Sequence, residues 1–532
     1  MKKTLSVLLL MSLVWLAQAK EFVVTDFGAI ADTNFLSTKA IQIAIDQASI
    51  QGGIVIIPAG SFKSGTLYLK SNVTIKLEKS SNLFGSTQLK DYPENTPDYI
   101  FYRKESVKRA LIYAEDCTNI AIEGEGTIDG RGASFWVPDG SKVDSYTVRP
   151  YLIWMIKCQN VRTEGVRLRN SALWMQHYLA CDNVYIHNID VFNHSNKNND
   201  MIDIDGCHDV RISDCTGDSD DDGITLKSTS ARANENVVII NCILSSHCNA
   251  IKMGTESNTG FKNIVISNIV VRPSKVSDKS IGGTPEGHTG IALETVDGGD
   301  LDGIVISKIR IDGVICPVFI RLGNRARPYF AGQKIEKPGC LRNIEISDVI
   351  ATNASKIGCS ITGLPGYPIE NISFYNISMA FKGGGTKETL AKTVPEKEKA
   401  YPEYDMFDDL PAYGFFIRHA QNVRFSNIYL RTDSGDVRPA LFLSDVNNSE
   451  FRNLKLESNE TNECNILIDN SKDVLVSGSV IEGKSKCFVR LINDRTKKLV
   501  LQNNVLTNTN IVCDYGITSK SEVIESGNVS EK

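Results

Sequence analysis

The chain has 532 residues, a formal net charge of −5 and 13 cysteines. This mildly acidic balance gives no electrostatic reason to expect nucleic acid or an anionic membrane as a partner. The cysteines form no CxxC pair, which excludes zinc-ribbon and thioredoxin-like redox motifs, so we expect most of them to be buried as small apolar side chains.

The chain begins with MKKTLSVLLLMSLVWLAQAK, which has the pattern of a secretory signal peptide. Two lysines precede an apolar run from Leu5 to Leu16, and Ala17-Gln18-Ala19 forms a small-x-small cleavage site. The run is too short to span a bilayer, and no later stretch reaches the ~20 apolar residues that spanning needs. We therefore predict a signal peptide at residues 1–19, export to the periplasm or the medium, no membrane insertion, and one domain over residues 20–532.

The next element is TKAIQIAIDQASIQ, from Thr38 to Gln51, which has the pattern of an amphipathic helix. It is followed by GGIVIIPAG, a glycine turn that leads into a strand. A short N-terminal helix of this kind would cap the open end of a solenoid, which a solenoid needs for solubility.

A short pattern then recurs along the chain: an Asn or Asp followed by alternating apolar residues. Examples are NVRTEGV, NVYIHNI, DVRISDC, NVVIINC and NIVISNI, which begin at Asn160, Asn183, Asp209, Asn236 and Asn263. These copies start 23 to 27 residues apart, and a unit of that size cannot bury a core of its own. We predict an all-β fold, a right-handed parallel β-helix, with the repeated Asn residues forming an internal side-chain ladder.

Three stretches lack this pattern: residues 272–290, 325–340 and 382–411. Loops that project from a rigid solenoid can form the walls of a groove. In or near the third stretch lie aromatic residues that are candidates for lining such a groove: Tyr401, Phe407 and Tyr413.

Carboxylates are concentrated in GDSDDDGITLKS, where Asp218 to Asp222 includes four Asp residues. Asp200 lies 21 residues before Asp221 and 22 before Asp222, which is close to one coil. Neighbouring strands lie ~4.8 Å apart, so these three side chains should converge. Crowded carboxylates raise one another's pKa, so at least one should hold a proton near neutral pH. A protonated acid beside an ionised carboxylate is what glycosidic bond cleavage requires.

The spacing Asp218-x-Asp220-x-Asp222-Gly also matches the opening of an EF-hand calcium loop. Position 12 of that loop would be Thr229 instead of Glu, and the ITLKS that follows has the pattern of a strand. A calcium site of another type and a purely structural acidic turn remain alternatives. The histidines show no HExxH or paired spacing, so we predict no metal and no cofactor.

The motifs NNDMIDI and DDDGI resemble the NTDGxDI and DDC pair of glycoside hydrolase family 28, which contains polygalacturonases and rhamnogalacturonan hydrolases. VTDFGAIADT, GEGTIDGRG and LRNSALWMQHYLACDNVYIHNI are also similar to this family, and the resemblance covers roughly residues 22–324. It implies a pectin-lyase-like β-helix and inverting hydrolysis. Carried over, the resemblance makes Asp221 the general acid, while Asp200 and Asp222 activate water.

The sequence departs from this family in two places. Where polygalacturonases carry GHG, this chain has HCNAIKMGTES; Asn249 takes the position of the His, and His247 lies two residues earlier. Where they carry GIRIKT, this chain has GIALET, so that Glu294 stands at a subsite where it would repel a uronate. Candidate replacement cations are Lys227, Lys252, Arg321 and Arg325. Trp174 and His177, one coil before Asp200, are candidates for a platform under a sugar ring.

These residues predict a glycoside hydrolase that acts on a pectic poly- or oligosaccharide, either rhamnogalacturonan or galacturonan. The long loops favour exo action. Two alternatives stay open. A polysaccharide lyase on the same scaffold would use the Asp cluster to hold calcium and Lys252 as the base, and a non-catalytic glycan-binding β-helix would bind without turnover.

Overall fold

The computed structural model describes residues 20–530, which coil into a β-helix whose strands all pair in parallel with the coils before and after. One position shows how the coils stack, because Ile120, Val161, Val184, Val210 and Val237 lie directly above one another in five consecutive coils. The fold class predicted from the repeat, an all-β parallel β-helix, is confirmed.

One face of the β-helix carries the carboxylates and is called the site face. Its strands are Leu67–Tyr68, Ala110–Glu115, Tyr151–Ile156, Gln176–Leu179, Ile202–Asp205, Ile224–Ser228, Asn249–Ser257, Thr289–Thr295, Cys316–Leu322, Cys359–Thr362, Ile466–Asp469, Ser485–Leu491 and Thr509–Asp514, together with the first parts of Phe415–Thr432 and Leu441–Glu457.

Two further faces complete each coil. The second face is formed by Lys20–Val23, Gly53–Ile57, Val73–Leu77, Thr118–Gly124, Gln159–Glu164, Asp182–His187, His208–Ser213, Lys472–Ser477, Lys497–Gln502 and Val523–Ser526. The third is formed by Gly60–Ser64, Ser81–Gly85, Thr127–Asp129, Arg167–Arg169, Asp190–Asn193, Thr216–Ser219, Val480–Glu482, Val505–Leu506 and Val529–Ser530. Strands that continue from the second face into the third are Asn234–Ser246, Gly260–Val271, Asp300–Asp312, Leu341–Ala354 and Ile369–Phe381, with the later parts of Phe415–Thr432 and Leu441–Glu457.

The inner side of every face is apolar, because alternate residues of each strand point inward. The inward Val, Ile, Leu and Phe side chains form one continuous core that runs from Phe22 to Cys513. All 13 cysteines are free thiols, and all but the exposed Cys340 are buried, as expected for small apolar side chains.

The repeated Asn and Asp residues lie at the corner between the site face and the second face. Asn160 and Asn183 adopt left-handed backbone conformations, with φ of 56° and 53°, which Asn tolerates better than most residues. The Asn183 amide donates to Asn160 Oδ1 at 3.1 Å, and Asn160 donates to Asn119 Oδ1 at 2.8 Å. The predicted ladder therefore exists, but it is exposed and not internal, because the aliphatic side chains occupy the inside of the corner.

The N-terminal helix spans Thr38–Gln51, as predicted, and buries Ala40, Ile41, Ala44, Ile45 and Ala48 against the first coils. The other helical segments are the α-helix Lys387–Leu390 and the 3₁₀ turns Val24–Phe27, Leu89–Asp91, Gly132–Phe135 and Lys520–Glu522. No helix among residues 20–530 is long and apolar enough to cross a membrane. The predicted signal peptide, residues 1–19, lies outside the described residues.

Five long segments leave the coils beside the site face. Three correspond to the stretches that lack the repeat pattern: residues 272–288, 323–340 and 382–414. The other two, residues 86–109 and 130–150, were not singled out from the sequence. Segment 86–109 reaches across neighbouring coils, since Tyr102 N donates to Thr229 O at 2.7 Å. These five segments cover the middle of the site face and enclose the carboxylates.

Candidate active site

The structure brings Asp200, Asp221 and Asp222 together on neighbouring coils. Asp200 immediately precedes the strand Ile202–Asp205, and the other two precede the strand Ile224–Ser228 that pairs with it. The Met201 amide donates to Asp222 O at 2.9 Å, which fixes the two turns against each other. The spacing of one coil therefore stacks the two acidic motifs at the start of adjacent strands.

Asp221 is the carboxylate with the surroundings of an acid. It is partly exposed, and it accepts hydrogen bonds from Asn198 Nδ2 at 3.4 Å and from the Asp222 amide at 2.9 Å. Burial and the adjacent Asp222 charge raise the pKa of Asp221. A raised pKa keeps the proton on this side chain to higher pH, as a general acid requires.

Asp222 has the opposite surroundings. Its carboxylate accepts from the Asn249 amide and side chain at 3.2 and 2.9 Å, and it lies 3.1 Å from Lys252 Nζ. Burial acts to raise the pKa of Asp222, but the Lys252 and Lys227 charges hold it below its usual range. The neighbours of these two consecutive carboxyls therefore shift their pKa values in opposite directions, which favours the protonated form of Asp221 relative to Asp222.

Asp200 shares a buried cation with Asp203. Lys227 Nζ lies 3.6 Å from Asp200, 3.4 Å from Asp203 and 3.8 Å from Glu256. Burial and the Asp203 and Asp221 charges raise the pKa of Asp200 well above its usual value, and burial raises the pKa of Asp203 to about 8. The Oδ1 atom of Asp200 is buried without a hydrogen-bond partner, so it is available to a water or a sugar hydroxyl.

The other acidic residues of the stretch anchor the segment 272–288. Asp218 accepts from Ser274 Oγ at 2.7 Å and from the Lys275 amide at 2.9 Å, and Asp220 accepts from the amides of Ile281 and Gly282. Burial acts to raise the pKa of Asp220, but hydrogen bonds with two histidines hold it well below its usual range. Asp218 and Asp220 therefore hold this segment in place beside the other carboxylates.

An EF-hand is not formed here. The residues after Gly223 form the strand Ile224–Ser228, and Thr229, at the position of the bidentate ligand, donates to Asp205 through its amide and hydroxyl at 2.9 and 2.6 Å. The carboxylates of Asp218 and Asp220 receive protein N–H and O–H donors, which orient them toward the segment 272–288. The acidic spacing is therefore used for hydrogen bonding and not for a calcium loop.

His247 and Asn249, the candidates for the missing family His, differ in position. The His247 ring is buried, with Nδ1 2.9 Å from Asp220 and Nε2 2.7 Å from Val276 O. It therefore supports the segment 272–288 and does not reach the Asp221 carboxylate. Asn249 lies directly on Asp222, with its Oδ1 buried and unpartnered.

Glu294 and Arg321 are not surface groups of a subsite. Both are buried, and burial raises the pKa of Glu294 well above its usual value, which leaves it neutral. Arg321 donates to Gly363 O at 3.1 Å and to Glu396 O at 2.7 Å, and so holds the segment 382–414. Both side chains point away from the core, which holds their neighbours Leu293 and Ile320, but the sequence could not show that this segment covers them.

Four other candidates already contact groups of the protein itself: Lys227, Trp174, His177 and Arg325. Lys227 Nζ lies 4.6 Å from the centre of the Trp174 ring, whose exposed fraction is 9%, so the ring packs against a lysine. His177 contacts Asp205 at 3.1 Å. Arg325 pairs with Asp297.

The three aromatic candidates in segment 382–414 differ in their exposure. Phe407 and Tyr413 are buried, whereas Tyr401 is exposed with its ring centre 5.9 Å from Lys252 Nζ. Only Tyr401 therefore lines the site.

Two functional candidates were missed from the sequence. Glu403 lies beside Lys252 and Asn249, with 3.8 Å and 3.4 Å to the respective side-chain nitrogens. Arg103 stacks on the Tyr146 ring, 3.9 Å from its centre, and lines a small cavity together with Trp174 and Glu256. Both come from segments without repeat pattern, and no local signal in the sequence aims them at the site.

Comparisons with known proteins show the family to which this chain belongs. The sequence profile of Glycosyl hydrolases family 28 matches residues 48–400. A probable polygalacturonase from Vitis vinifera is 27% identical over 378 residues, which cover 66% of this chain and 73% of that protein. An exo-poly-alpha-D-galacturonosidase from Dickeya chrysanthemi is 25% identical and covers 50% of this chain and 53% of that protein.

Solved structures show the same fold. The exopolygalacturonase from Thermotoga maritima superposes with a TM-score of 0.60 at 20% identity, over 77% of this chain and 92% of that one. The family 28 exopolygalacturonase from Yersinia enterocolitica gives 0.62 at 20% identity, over 82% and 79%. The protein is a glycoside hydrolase with a parallel β-helix. It belongs to glycosyl hydrolase family 28.

Proposed function

We propose that the protein hydrolyses pectic chains with inversion, using Asp221 as the general acid and Asp222 as the base. The observation that carries this proposal is the different surroundings of the two neighbouring carboxyls. Asp221 is partly exposed and accepts hydrogen bonds from amide N–H donors, whereas Asp222 is buried against Asn249 and Lys252, and these surroundings shift the two pKa values in opposite directions. The pectic substrate is supported by the relatives described as polygalacturonases. A leader at residues 1–19 would export the enzyme to where such polymers occur.

The reaction needs one proton donor and one acceptor. Asp221 gives its proton to the glycosidic oxygen as the bond from that oxygen to the anomeric carbon breaks. A water attacks the same carbon from the opposite side, and its proton passes to Asp222. Asp200 accepts a hydrogen bond from this water through its unpartnered Oδ1 and thereby orients it.

The enclosed site favours action at chain ends. Segment 86–109 reaches Thr229 on one side, and segment 382–414 places Tyr401 and Glu403 beside Lys252 on the other. A polymer threaded through an open groove would have to pass both segments, whereas a chain end needs only one entrance.

The experiment that tests this function uses defined galacturonan and rhamnogalacturonan oligosaccharides, with products followed by mass spectrometry and by NMR of the anomeric proton. We expect saturated products of inverted configuration that are released from one end. One carboxylate oxygen of Asp221 lies within 4.8 Å of one carboxylate oxygen of Asp222, which is shorter than the ~6.5–9.5 Å separation usual for inverting enzymes. The distance therefore does not itself indicate inversion, and the configuration of the product has to be measured. Retention of configuration would contradict the proposed role of Asp222.

The lyase alternative conflicts with the state of Lys252. A lyase base must give up its proton. Burial acts to lower the pKa of Lys252, but the charges of Asp222 and Glu403 raise it well above its usual value. Its proton is therefore held firmly. The saturated products expected above also separate the two reactions, because a lyase forms unsaturated ones.

Replacing Lys252 by Met should shift the acidic limb of the kcat/KM–pH profile to higher pH by about one unit or more. The Lys252 charge lowers the pKa of Asp222, and the base must be ionised, so its loss raises the pH at which activity appears. The exposed Lys356, replaced by Met, is the matched control. An unchanged acidic limb would show that Lys252 does not hold Asp222 ionised.

A further inference from the structure

Glu403 is the acidic residue that segment 382–414 brings to the active site. One oxygen lies 3.8 Å from Lys252 Nζ and accepts from Asn249 Nδ2 at 3.4 Å, and the other lies 3.9 Å from His288 Nδ1. Through Asn249 and Lys252 it touches the same groups that hold Asp222. Glu403 is therefore one residue removed from the proposed base.

The charge of Glu403 changes what this part of the site can bind. Burial acts to raise the pKa of Glu403, but Lys252 and His288 hold it below its usual value, so the side chain is ionised. Lys252 faces two carboxylates, those of Asp222 and Glu403, and its charge is already balanced. The nearby Arg325 pairs with Asp297. Lys252 and Arg325, the cations described beside Glu403, are thus already paired with carboxylates.

The same place offers acceptors without donors. Oε1 of Glu403 and Oδ1 of the buried Asn249 have no hydrogen-bond partner, and neither has Oγ1 of Thr289, which pairs in register with Asn249 on the next strand. Buried polar atoms of this kind are normally satisfied. The Glu403 side chain is the partly exposed member of this group, with an exposed fraction of 18%. A substrate carboxylate beside it would bring a second negative charge against Glu403, whereas an uncharged sugar would not.

Resting on the proposed function, we propose that Glu403 determines specificity by selecting an uncharged sugar residue over a free uronate in the subsite beside Lys252. The uncharged residue is either a neutral sugar or a uronate whose carboxyl is esterified. Glu403 accepts hydroxyl protons from it and repels a free carboxylate. In this role the carboxylate of Glu403 replaces Glu294, which is buried and neutral.

The test compares Glu403→Gln with the wild type on three oligosaccharides of equal length. They differ only in one sugar residue next to the scissile bond, which is a free uronate, its methyl ester or a neutral sugar. One series places this residue on one side of the scissile bond, and a second series places it on the other side. The measured quantity is the ratio of kcat/KM for the uncharged substrates to that for the free uronate. This ratio does not depend on the fraction of enzyme that is folded. Glu398→Gln, an exposed residue of the same segment, is the matched control.

We expect the wild type to prefer both uncharged substrates on one side of the scissile bond, and Glu403→Gln to reduce this preference by about tenfold. If the enzyme prefers only the neutral sugar, the subsite binds a neutral sugar. If it prefers only the ester, the subsite binds an esterified uronate. If the ratio is the same in both enzymes, or if Glu398→Gln changes it equally, the assignment of Glu403 is wrong while hydrolysis itself stands. If the wild type cleaves none of the substrates, the proposed function fails first.

Discussion

Replacing Asp221 by Asn should lower kcat on pectic oligosaccharides by roughly 10²–10⁴, the contribution of a general acid. Asn has nearly the same shape but has no proton to give to the leaving oxygen. The amide oxygen can still accept from the Asp222 amide, while the long hydrogen bond from Asn198 to the other carboxylate oxygen is lost, so the fold should remain intact at a small cost in stability. Release of reducing ends measures the effect, and circular dichroism and the melting temperature verify folding.

The matched control is Asp209→Asn, the same chemical change on the exposed ladder, where Asn already occupies most of the neighbouring coils. It should keep the activity of the wild type. If Asp221→Asn turns over substrate at nearly the rate of the wild type, Asp221 is not the general acid. This conclusion does not depend on the configuration of the products.

Replacing Arg438 by Met should cost about 3–5 kcal/mol of stability, because it leaves the buried Asp436 charge without its partner. Arg438 forms a two-pronged pair with Asp436 at 3.0 and 2.7 Å, and both side chains are fully buried. The same guanidinium donates to Leu410 O at 3.0 Å, which ties the end of segment 382–414 to the coil. The melting temperature should fall by several degrees, together with activity at elevated temperature.

Arg431→Met is the control for this stability effect. Arg431 pairs with Asp433 at a similar distance, 2.7 Å, but at the surface. Exposed pairs contribute ~0–1 kcal/mol, so its melting temperature should hardly change. Equal losses in the two variants would mean that burial of the Arg438 pair is not what matters.

The repeat made most of the fold predictable. An inward aliphatic residue and an Asn at the corner recur at a nearly constant spacing. The alternation of apolar and polar residues within each strand and the length of the repeat together specify a parallel solenoid. The same spacing predicted that Asp200 meets Asp221 and Asp222, since residues one coil apart stack. The exposed position of the Asn ladder was not predicted, because both an inward and an outward amide ladder are compatible with the same sequence pattern.

The walls of the site could not be predicted in the same way. Glu403 contacts Asn249 across 154 residues of sequence, and Tyr102 crosses to Thr229. Where such segments fold back depends on tertiary contacts such as Arg321 to Glu396 O, which leave no periodic signal. For the same reason the sequence assigned Glu294 to the substrate, although a covering segment buries it and keeps it neutral.

The exposed corner ladder also bears on how such a chain can evolve. Each coil ends in the same geometry at which the next begins, so a whole coil could be gained or lost by duplication while the register of its neighbours is preserved. A single-residue insertion inside a strand would instead exchange inward and outward side chains for the rest of that strand. Insertions and deletions are therefore tolerated as entire coils or within the segments that leave the coils. Changes in those segments can alter the choice of substrate while Asp200, Asp221 and Asp222 keep their positions.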